Sequence, residues 1–492
     1  MTARLGQPRR DARGSKSARA CANDSRIRFG TNGWRGVLGE EVTFPRLRVL
    51  VRSIAEWIRE GQRGQRVLIG WDGRFASRAM AEVAASILQD EGLRPVLASG
   101  CTPTPAVTHA LARGRYAAGV VLTASHNPPS YHGLKLFENS GAGIADPAAR
   151  RIEAIAARRM RDDGPPHGSR LPPPRNLAES YLDGLANLLD RDALAKGRAT
   201  LIFDAMHGAA AGYLDELMRR LGVPVEALRT ALDPTFGGAP PDPIPERLAA
   251  LVARVRSKSG LALGLANDGD GDRVGVVDGR GRVLSETQVM ALLVDHLAAC
   301  GRIERGVALG AATGTLVEKV ARDHGLAVER HPVGFKYLSA AMLAGRADVA
   351  GDESGGFGFA RMGPDKDGIL AGALLVEFVA RTGEPLETHV DRLEARFGSS
   401  ACGRVAIVRS EALDRGLAKL ASAPPARIGR SALQAVDERC GLRFDLADGG
   451  FLMIRCSGTE PMVRIYAEAG DAGQLDQRLR EGARLLARAG RQ

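Results

Sequence analysis

The stretch Val67-Leu-Ile-Gly-Trp-Asp-Gly-Arg74 runs from a short apolar segment directly into a loop of glycine, aspartate and arginine. The same pattern returns in Thr200-Leu-Ile-Phe-Asp-Ala-Met-His-Gly208 and in Val307-Ala-Leu-Gly-Ala-Ala-Thr-Gly314. Each copy is followed by a helix-like segment, and strand–loop–helix units favour α/β domains with mostly parallel strands. Because the copies start more than 100 residues apart, they indicate similar domains in tandem rather than a solenoid.

Stretches rich in proline and glycine mark the candidate domain boundaries. The segment Gly164-Pro-Pro-His-Gly-Ser-Arg-Leu-Pro-Pro-Pro174 is typical of a linker, and a second change follows Gly279-Arg-Gly-Arg282, after which Ser285 is predicted to cap a helix. The last region contains short strand-like runs and favours an α+β domain. We therefore expect a disordered basic tail at 1–25, three α/β domains at 26–174, 175–282 and 283–395, and an α+β domain at 396–492.

Composition and charge limit the classes of function. The 492 residues are 44% hydrophobic and 25% charged, which is ordinary for a globular protein. No apolar run approaches the ~20 residues that span a bilayer, so we expect no membrane partner. The six cysteines are scattered without a CxxC pair, which favours a reducing, cytoplasmic setting. Residues 1–28 hold eight basic and two acidic residues of a chain whose net charge is +11, so the charge does not indicate a nucleic-acid-binding domain.

A possible nucleophile follows the apolar run 117–122. In Thr123-Ala-Ser-His-Asn-Pro-Pro-Ser-Tyr-His-Gly-Leu-Lys-Leu-Phe137, the predicted strand stops in an Asn-Pro-Pro turn, so Ser125 is placed on a loop beside His126. Lys135 follows ten residues later. A serine with polar and cationic neighbours is a candidate nucleophile or phosphate carrier.

A second motif, Asn267-Asp-Gly-Asp-Gly-Asp-Arg273, spaces three carboxylates at i, i+2 and i+4. An extended backbone would bring them to one side, and all-oxygen ligation suits Mg²⁺. An EF-hand calcium loop shares this spacing, but its sixth position would be Arg273 rather than glycine, and its twelfth would be Gly279 rather than glutamate. The motif therefore predicts a magnesium site.

Three further segments could bind a phosphorylated sugar. Arg455-Cys-Ser-Gly-Thr-Glu-Pro461, with Arg464 nearby, combines guanidinium groups, hydroxyls and a glycine that suit phosphate. Gly351-Asp-Glu-Ser-Gly-Gly356 offers acceptors for sugar hydroxyls. Phe29-Gly-Thr-Asn-Gly-Trp-Arg-Gly36 contributes Arg35, which could face phosphate or cap a helix. Judged alone, each of these segments could also be a polar turn.

Taken in order, these motifs resemble the α-D-phosphohexomutase superfamily, of the bacterial phosphoglucomutase/phosphomannomutase type, from about residue 27 to 485. The resemblance implies four domains around a central cleft, three of them related α/β domains with mixed or parallel sheets. It also implies Mg²⁺, a phosphosugar substrate and a hexose 1,6-bisphosphate activator. A monomer or small homo-oligomer is expected.

The resemblance assigns roles to individual residues. Ser125 would be phosphorylated and would join Asp268, Asp270 and Asp272 as a metal ligand. Besides Ser125, the catalytic residues would be Lys135, Arg35, His126 and Arg273. Groups that would bind the substrate are Gly334, Lys336, Glu353, Ser354, Arg455, Ser457, Gly458, Thr459 and Arg464. If Lys135 acts as a base, its cationic surroundings are expected to lower its pKa.

The sequence leaves the sugar and the reaction class open. The loop ending in Ser-Gly-Gly resembles glucose-type loops, although Asp352 replaces the commoner glutamate, so mannose and glucosamine phosphates remain alternatives. A metal-dependent phosphatase could also use a serine loop with an aspartate cluster. A nucleic-acid-binding protein with a basic tail is a third possibility. Neither of the last two explains the sugar and phosphate loops.

Overall fold

The protein is described here from a computed structural model, which covers residues 26–30, 33–61, 63–160, 171–457 and 461–491. These residues form four β-sheets with flanking helices, and we refer to each sheet with its helices as domains I to IV. The tail predicted at residues 1–25 lies outside the described residues. Within the described part of the chain, no helix is both long and apolar enough to cross a bilayer.

Domain I carries a five-stranded sheet in the order β1-β5-β4-β2-β3, where β2, β3 and β4 are parallel. Strand β5 runs antiparallel to β4, and β1 antiparallel to β5. The elements are β1 (Trp34–Val37), α1 (Phe44–Glu60), β2 (Arg66–Trp71), α2 (Ser77–Asp90), β3 (Arg94–Leu97), α3 (Thr104–Arg113), β4 (Ala118–Leu122), β5 (Tyr131–Glu138) and α4 (Asp146–Arg159).

Domain II has the sheet order β7-β6-β8-β9, with three parallel strands followed by antiparallel β9. Its elements are α5 (Ala178–Ala186), α6 (Arg191–Lys196), β6 (Ala199–Asp204), α7 (Leu214–Arg220), β7 (Val225–Leu228), α8 (Ala249–Arg256), β8 (Leu261–Asn267) and β9 (Val274–Val277).

Domain III repeats this arrangement in the order β11-β10-β12-β13, again with three parallel strands and an antiparallel fourth. The first helix begins at the predicted cap, because the Ser285 hydroxyl accepts the Gln288 N–H. The elements are α9 (Glu286–Ala299), β10 (Val307–Gly310), α10 (Thr315–Asp323), β11 (Val328–His331), α11 (Phe335–Leu343), β12 (Val349–Gly351), β13 (Phe357–Phe359), α12 (Gly368–Thr382) and α13 (Leu386–Phe397).

Domain IV is built on an antiparallel sheet in the order β14-β19-β18-β17-β16-β15, against which α15 packs. Its elements are β14 (Ala401–Val408), α14 (Glu411–Ser422), β15 (Arg427–Ile428), β16 (Ser431–Asp437), β17 (Leu442–Leu446), β18 (Phe451–Cys456), β19 (Met462–Ala469) and α15 (Ala472–Ala489). The predicted fold class is confirmed: three related α/β domains are followed by an α+β domain.

The shared strand order explains where the motifs lie. In domains I, II and III, the strand that precedes the antiparallel strand is β4, β8 and β12, respectively. The turns after these equivalent strands contain Ser125, the three aspartates and Glu353. Ligand sites of open α/β sheets lie beyond the carboxyl ends of the strands. The same connection between strands therefore carries a different functional motif in each of the three domains.

Two sets of contacts hold neighbouring domains together. Helix α12 packs on β8 and β9 of domain II as well as on α9 and β13 of domain III, so these domains share one hydrophobic core. Domain IV is attached to domain III by an apolar cluster, which includes Ala311 and Phe451, and by polar contacts. The Glu468 carboxylate accepts the Thr315 N–H at the first turn of α10 (2.9 Å), and the Arg443 guanidinium donates to the Ala311 carbonyl (2.6 Å). These contacts fix domain IV, which carries the predicted phosphate-binding residues, against domain III.

Candidate active site

Two loops contact each other directly: the loop after β4 that carries Ser125, which we call the serine loop, and the turn after β8 that carries the three aspartates, which we call the aspartate loop. The Ser125 hydroxyl, 1% exposed, donates to Asp268 Oδ2 at 2.7 Å, and His126 Nδ1 lies 3.5 Å from the same hydroxyl oxygen. A side chain on Gly269 would place its Cβ 2.5 Å from the Ser125 carbonyl oxygen, so only glycine permits this approach. Two loops that are 143 residues apart therefore form one site.

The three aspartates of the metal motif converge as predicted. One oxygen of each of Asp268, Asp270 and Asp272 lies within 4.8 Å of the others, and all three side chains are fully buried. The backbone between β8 and β9 reaches this arrangement through a turn in which Gly271 has a φ of 77°. Burial, and then the neighbouring carboxylates of Asp272 and Asp270, raise the pKa of Asp268.

The donor set fits a hard divalent ion. Asp270 Oδ1 and Asp272 Oδ1 are buried and accept no hydrogen bond, although a buried carboxylate oxygen without a partner is costly. Ligand oxygens that are buried, anionic and unpartnered suit Mg²⁺ better than any softer metal. Asp268, Asp270, Asp272 and an oxygen on Ser125 could hold such an ion.

Two lysines neutralise the aspartates. Lys135 Nζ lies 2.6 Å from Asp270 Oδ2 and 2.5 Å from Asp272 Oδ2, and Lys366 Nζ lies 3.0 Å from Asp272 Oδ2. Burial lowers the pKa of Lys135, but the carboxylates of Asp270 and Asp272 raise it by more, and the net shift is upward. Our expectation of a lowered pKa is therefore wrong, because it counted the nearby cations and not the nearer anions.

Lys366 was missed by the sequence analysis. The side chain is 2% exposed and comes from the segment before α12, within a run of three charged residues that precedes an apolar helix. That run was the available signal, since charged side chains are rarely buried without a partner. The aliphatic stem of Lys366 fills the space beside Gly356, where an added Cβ would overlap Lys366 Cδ.

The Gly356→Ala variant is expected to lose about 1–3 kcal/mol of unfolding free energy, because overpacking a filled site forces side chains to shift. Lys366 cannot easily move aside, since its amine contacts Asp272. Gly363→Ala is the control, because the nearest atom to an added Cβ there is 4.0 Å away. Urea unfolding measures both variants, and equal stabilities would contradict the packing argument.

The arginines and the histidine that were predicted to be catalytic lie around this centre. Arg35 on β1 donates to Asn127 Oδ1 (2.9 Å), and the Arg273 backbone N–H donates to Asp268 Oδ1 (3.1 Å). The pKa of His126 is lowered, first by the charge of Arg273, then by burial and by the charge of Arg35. The His126 ring is therefore neutral. A neutral imidazole can accept a hydrogen bond beside the serine.

The Gly351–Gly356 turn, which we call the sugar-type loop, contacts the aspartate loop. The Val274 N–H donates to the Gly355 carbonyl (3.4 Å), which brings Glu353 and Ser354 to the cleft. Glu353 Oε2 is buried and accepts no hydrogen bond, so it is available to a ligand hydroxyl. Burial and the charge of Asp352 raise the pKa of Glu353. The Ser354 hydroxyl donates to Asp352 Oδ1 (2.7 Å), which leaves only its oxygen as an acceptor for a ligand.

The phosphate-type loop begins where β18 ends. Arg455 and Arg464 lie directly opposite each other on β18 and β19, and the Ser457 N–H donates to the Met462 carbonyl (2.8 Å). The charges of Arg404 and Arg455 only partly offset the upward shift in the pKa of Glu353. The sequence analysis did not identify Arg404. Gly458 and Thr459 lie outside the described residues.

The Gly334–Lys336 segment reaches the same cleft. Gly334 precedes α11, and Lys336 lines a pocket together with Lys135. Lys336 forms an ion pair with Asp146 of domain I, whose Oδ2 also accepts the Tyr337 hydroxyl (3.0 Å). Predicted residues of domains I, II and III thus lie around one cleft.

Comparison with known proteins gives a consistent pattern. Four sequence families match in order: "Phosphoglucomutase/phosphomannomutase, alpha/beta/alpha" domain I at residues 26–162, domain II at 179–281 and domain III at 285–397, and the corresponding C-terminal domain at 405–484. A phosphoglucomutase/phosphomannomutase of Thermococcus kodakarensis is 29% identical over 468 residues, which cover 94% of this chain and 98% of the relative. A phosphoglucosamine mutase of Symbiobacterium thermophilum is 30% identical over 457 residues, with 91% and 96% covered.

Solved structures agree in fold. A phosphoglucomutase/phosphomannomutase family protein from Burkholderia thailandensis superimposes with a TM-score of 0.78 at 25% identity, covering 95% of this chain and 97% of that protein. The Paramecium phosphoglucomutase parafusin, in its open form, gives 0.77 at 23% identity, with 94% and 95% covered. The second of these likenesses concerns the fold alone.

Proposed function

The chain belongs to the phosphoglucomutase/phosphomannomutase family, and on this premise we propose that it interconverts glucose 1-phosphate and glucose 6-phosphate through phosphorylated Ser125. Membership makes the protein a phosphohexomutase, an intramolecular phosphotransferase. The proposed intermediate is glucose 1,6-bisphosphate, which would also serve as the activator. The domain boundaries 26–174, 175–282, 283–395 and 396–492, the cytoplasmic location and the monomeric or small homo-oligomeric state stay predictions.

One observation carries the proposal. The Ser125 hydroxyl lies 2.7 Å from a buried carboxylate cluster, and two lysines neutralise that cluster. The sugar-type loop contacts the aspartate loop, because the Val274 N–H donates to the Gly355 carbonyl (3.4 Å). In domain IV, Arg455 and Arg464 lie opposite each other on neighbouring strands. A site that can hold a phosphoryl group at one end and a phosphate at the other suits a sugar carrying both.

The transfer step needs alignment and one proton. The P–O bond to Ser125 Oγ breaks while a bond forms from phosphorus to the free sugar hydroxyl oxygen. Lys135, which contacts Asp270 and Asp272, would give its proton to Ser125 Oγ as the P–O bond breaks and, once neutral, would take the proton that the sugar hydroxyl loses. Arg35, His126 and Arg273 would orient the transferring oxygens. Reversal of this step on the other phosphate of the bisphosphate returns the phosphoryl group to Ser125.

The remaining groups would hold the sugar phosphate while its ends exchange. Glu353 and Ser354 would accept the 3- and 4-hydroxyls, and Lys336 would contact the substrate from α11. Arg455, Ser457 and Arg464, together with Gly458 and Thr459, would bind the phosphate that is not transferred. Mg²⁺ on Asp268, Asp270, Asp272 and the Ser125 phosphate would supply positive charge to the transferring oxygens.

A second candidate is the same reaction on another hexose phosphate. Relatives named phosphoglucosamine mutase are as similar to this chain as those named phosphoglucomutase/phosphomannomutase. Glucose and mannose phosphates differ at C2, whereas the Glu353 loop is assigned to C3 and C4. The preference for glucose is supported by the Ser-Gly-Gly ending of that loop.

The test is kcat/KM for glucose, mannose and glucosamine 1-phosphates, each with Mg²⁺ and its own 1,6-bisphosphate. We expect the highest value for glucose 1-phosphate. A higher value for glucosamine or mannose 1-phosphate would overturn the choice of sugar and leave the mutase assignment intact. Release of inorganic phosphate without isomerised sugar would favour the phosphatase alternative and overturn the proposed mechanism.

A further inference from the structure

A buried Asp–Arg pair follows β2, in the loop of the Val67–Arg74 stretch whose function is not explained by the roles assigned above. We propose that Asp72 and Arg74 are positioning residues for phosphoryl transfer, because they hold the backbone of Ser125 on both sides. Neither side chain touches the substrate. The inference rests on the proposed function, since it concerns the aim of the Ser125 hydroxyl during transfer.

Every donor of the Arg74 guanidinium has an acceptor, and four of the five acceptors belong to the serine loop. NH2 donates to the Ser125 carbonyl (2.6 Å) and the Asn127 carbonyl (2.7 Å). NH1 donates to the carbonyls of Pro128 (2.8 Å) and Tyr131 (3.0 Å). Nε donates to Asp72 Oδ2 (3.1 Å), and the Arg74 side chain is fully buried. Five N–H donors in a fixed plane are used completely.

Asp72 is linked to the peptide group before Ser125 by hydrogen bonds through Thr123. Asp72 Oδ2 accepts the Thr123 hydroxyl (2.6 Å), and the Thr123 hydroxyl oxygen accepts the Ser125 N–H (2.8 Å). Asp72 Oδ1 accepts the Ser77 hydroxyl (2.7 Å) and the Arg74 backbone N–H (3.1 Å). The peptide groups before and after Ser125 are therefore both bonded to one buried ion pair, the first through Thr123 and the second through Arg74.

This hold matters because Ser125 has a φ of 53°. The left-handed region is unfavourable for serine, and such a conformation persists only where the surroundings enforce it. Without the ion pair, the Ser125 backbone would relax toward an ordinary conformation and turn its hydroxyl away from Asp268. Phosphoryl transfer depends on in-line placement of the reacting oxygens, so a small rotation is felt in the rate. The five guanidinium donors of Arg74 are all used within domain I, so ground-state binding of the sugar phosphate should be preserved.

The test is the Arg74→Lys variant. Lysine keeps the charge but has three donors on a single nitrogen, which cannot reach five acceptors. We expect kcat and the rate of Ser125 phosphorylation by glucose 1,6-bisphosphate, followed by intact-protein mass, to fall about 100-fold. The Kd of glucose 1-phosphate should change by less than about threefold, as for a group that acts only in the transition state.

The matched control is Arg302→Lys, which alters another arginine paired with a buried acid, Glu377 (2.7 Å), between α9 and α12. This control should retain wild-type kcat. A kcat of Arg74→Lys within threefold of the control would overturn the proposal, and so would a parallel loss of sugar-phosphate affinity. A wild-type enzyme without mutase activity would instead overturn the proposed function.

A second pair of variants tests the proposal independently, so that it can be judged even if Arg74→Lys folds poorly. Thr123→Val keeps the shape of the side chain but removes the hydroxyl that links Asp72 to the Ser125 N–H, whereas Thr123→Ser keeps that hydroxyl. Thr123→Val should lower kcat and leave the Kd of glucose 1-phosphate unchanged, and Thr123→Ser should recover most of the loss. Equal kcat values for these two variants would contradict the proposal, whatever the stability of Arg74→Lys.

Discussion

The Ser125→Ala variant is expected to lose mutase activity by about 10⁴-fold or more, as when a nucleophile is removed from an enzyme that acts through a covalent intermediate. The hydroxyl lies 2.7 Å from Asp268 in the carboxylate cluster, where it is placed to carry the phosphoryl group. The same variant should accept no phosphoryl group from glucose 1,6-bisphosphate, whereas the wild type should gain one.

The control for this prediction lies in the same loop. Ser130 is exposed and belongs to the turn before β5, so Ser130→Ala should retain both activity and phosphorylation. Coupled measurement of glucose 6-phosphate formation gives the rate, and intact-protein mass gives the phosphorylation state. If Ser125→Ala keeps more than a few per cent of the wild-type rate, or if the phosphoryl group is found on another residue, Ser125 is not the carrier. Binding of glucose 1-phosphate should survive, because Arg455, Arg464 and Glu353 are untouched.

The fold could be predicted because it rests on local patterns. Each of β2, β6 and β10 is a short apolar run that ends in a loop rich in glycine or aspartate, and the repetition of this unit predicted three related domains. The cap of α9 was equally local, because one hydroxyl and one glutamine three residues later are sufficient to mark it. The common position of the functional turns, after β4, β8 and β12, follows from the strand order, which no single segment reveals.

The site could be predicted where its residues belong to one short sequence motif, and less well where they come from different domains. The carboxylates of Asp268, Asp270 and Asp272 meet as the spacing indicated. The upward pKa shift of Lys135 could not be predicted, because it depends on distances to Asp270 and Asp272 that bridge two domains. Lys366 joins that cluster from a third domain. The role of Arg74 could not be predicted for a similar reason, since its four partners in the Ser125 segment are main-chain carbonyls, which a pattern of side chains does not reveal.

Removal of Mg²⁺ with EDTA is expected to reduce mutase activity by about 10³-fold or more, because charge on the transferring oxygens is then left to the lysines and arginines alone. Binding should also be visible without turnover. A ligand at 100 times its Kd stabilises the folded state by about 2.7 kcal/mol, so Mg²⁺ should raise the Tm of the wild type.

The Asp270→Asn variant should lose both the activity and the Tm response to Mg²⁺. This substitution is the mildest way to weaken the cluster: Lys135 keeps its contact with Asp272 (2.5 Å), and the Thr104 hydroxyl, 2.5 Å from Asp270 Oδ2, can still donate to an amide oxygen. Asp278→Asn is the matched control, since Asp278 is a fully buried acid of the same domain, bonded to Arg282 beyond β9. The control should keep the Mg²⁺-dependent rise in Tm even if its own Tm is lower. An unchanged response in Asp270→Asn, or an equal loss in Asp278→Asn, would mean that the ion does not bind at the aspartate cluster, and the positive charge needed for transfer would then have to come from Lys135, Lys366 and Arg273.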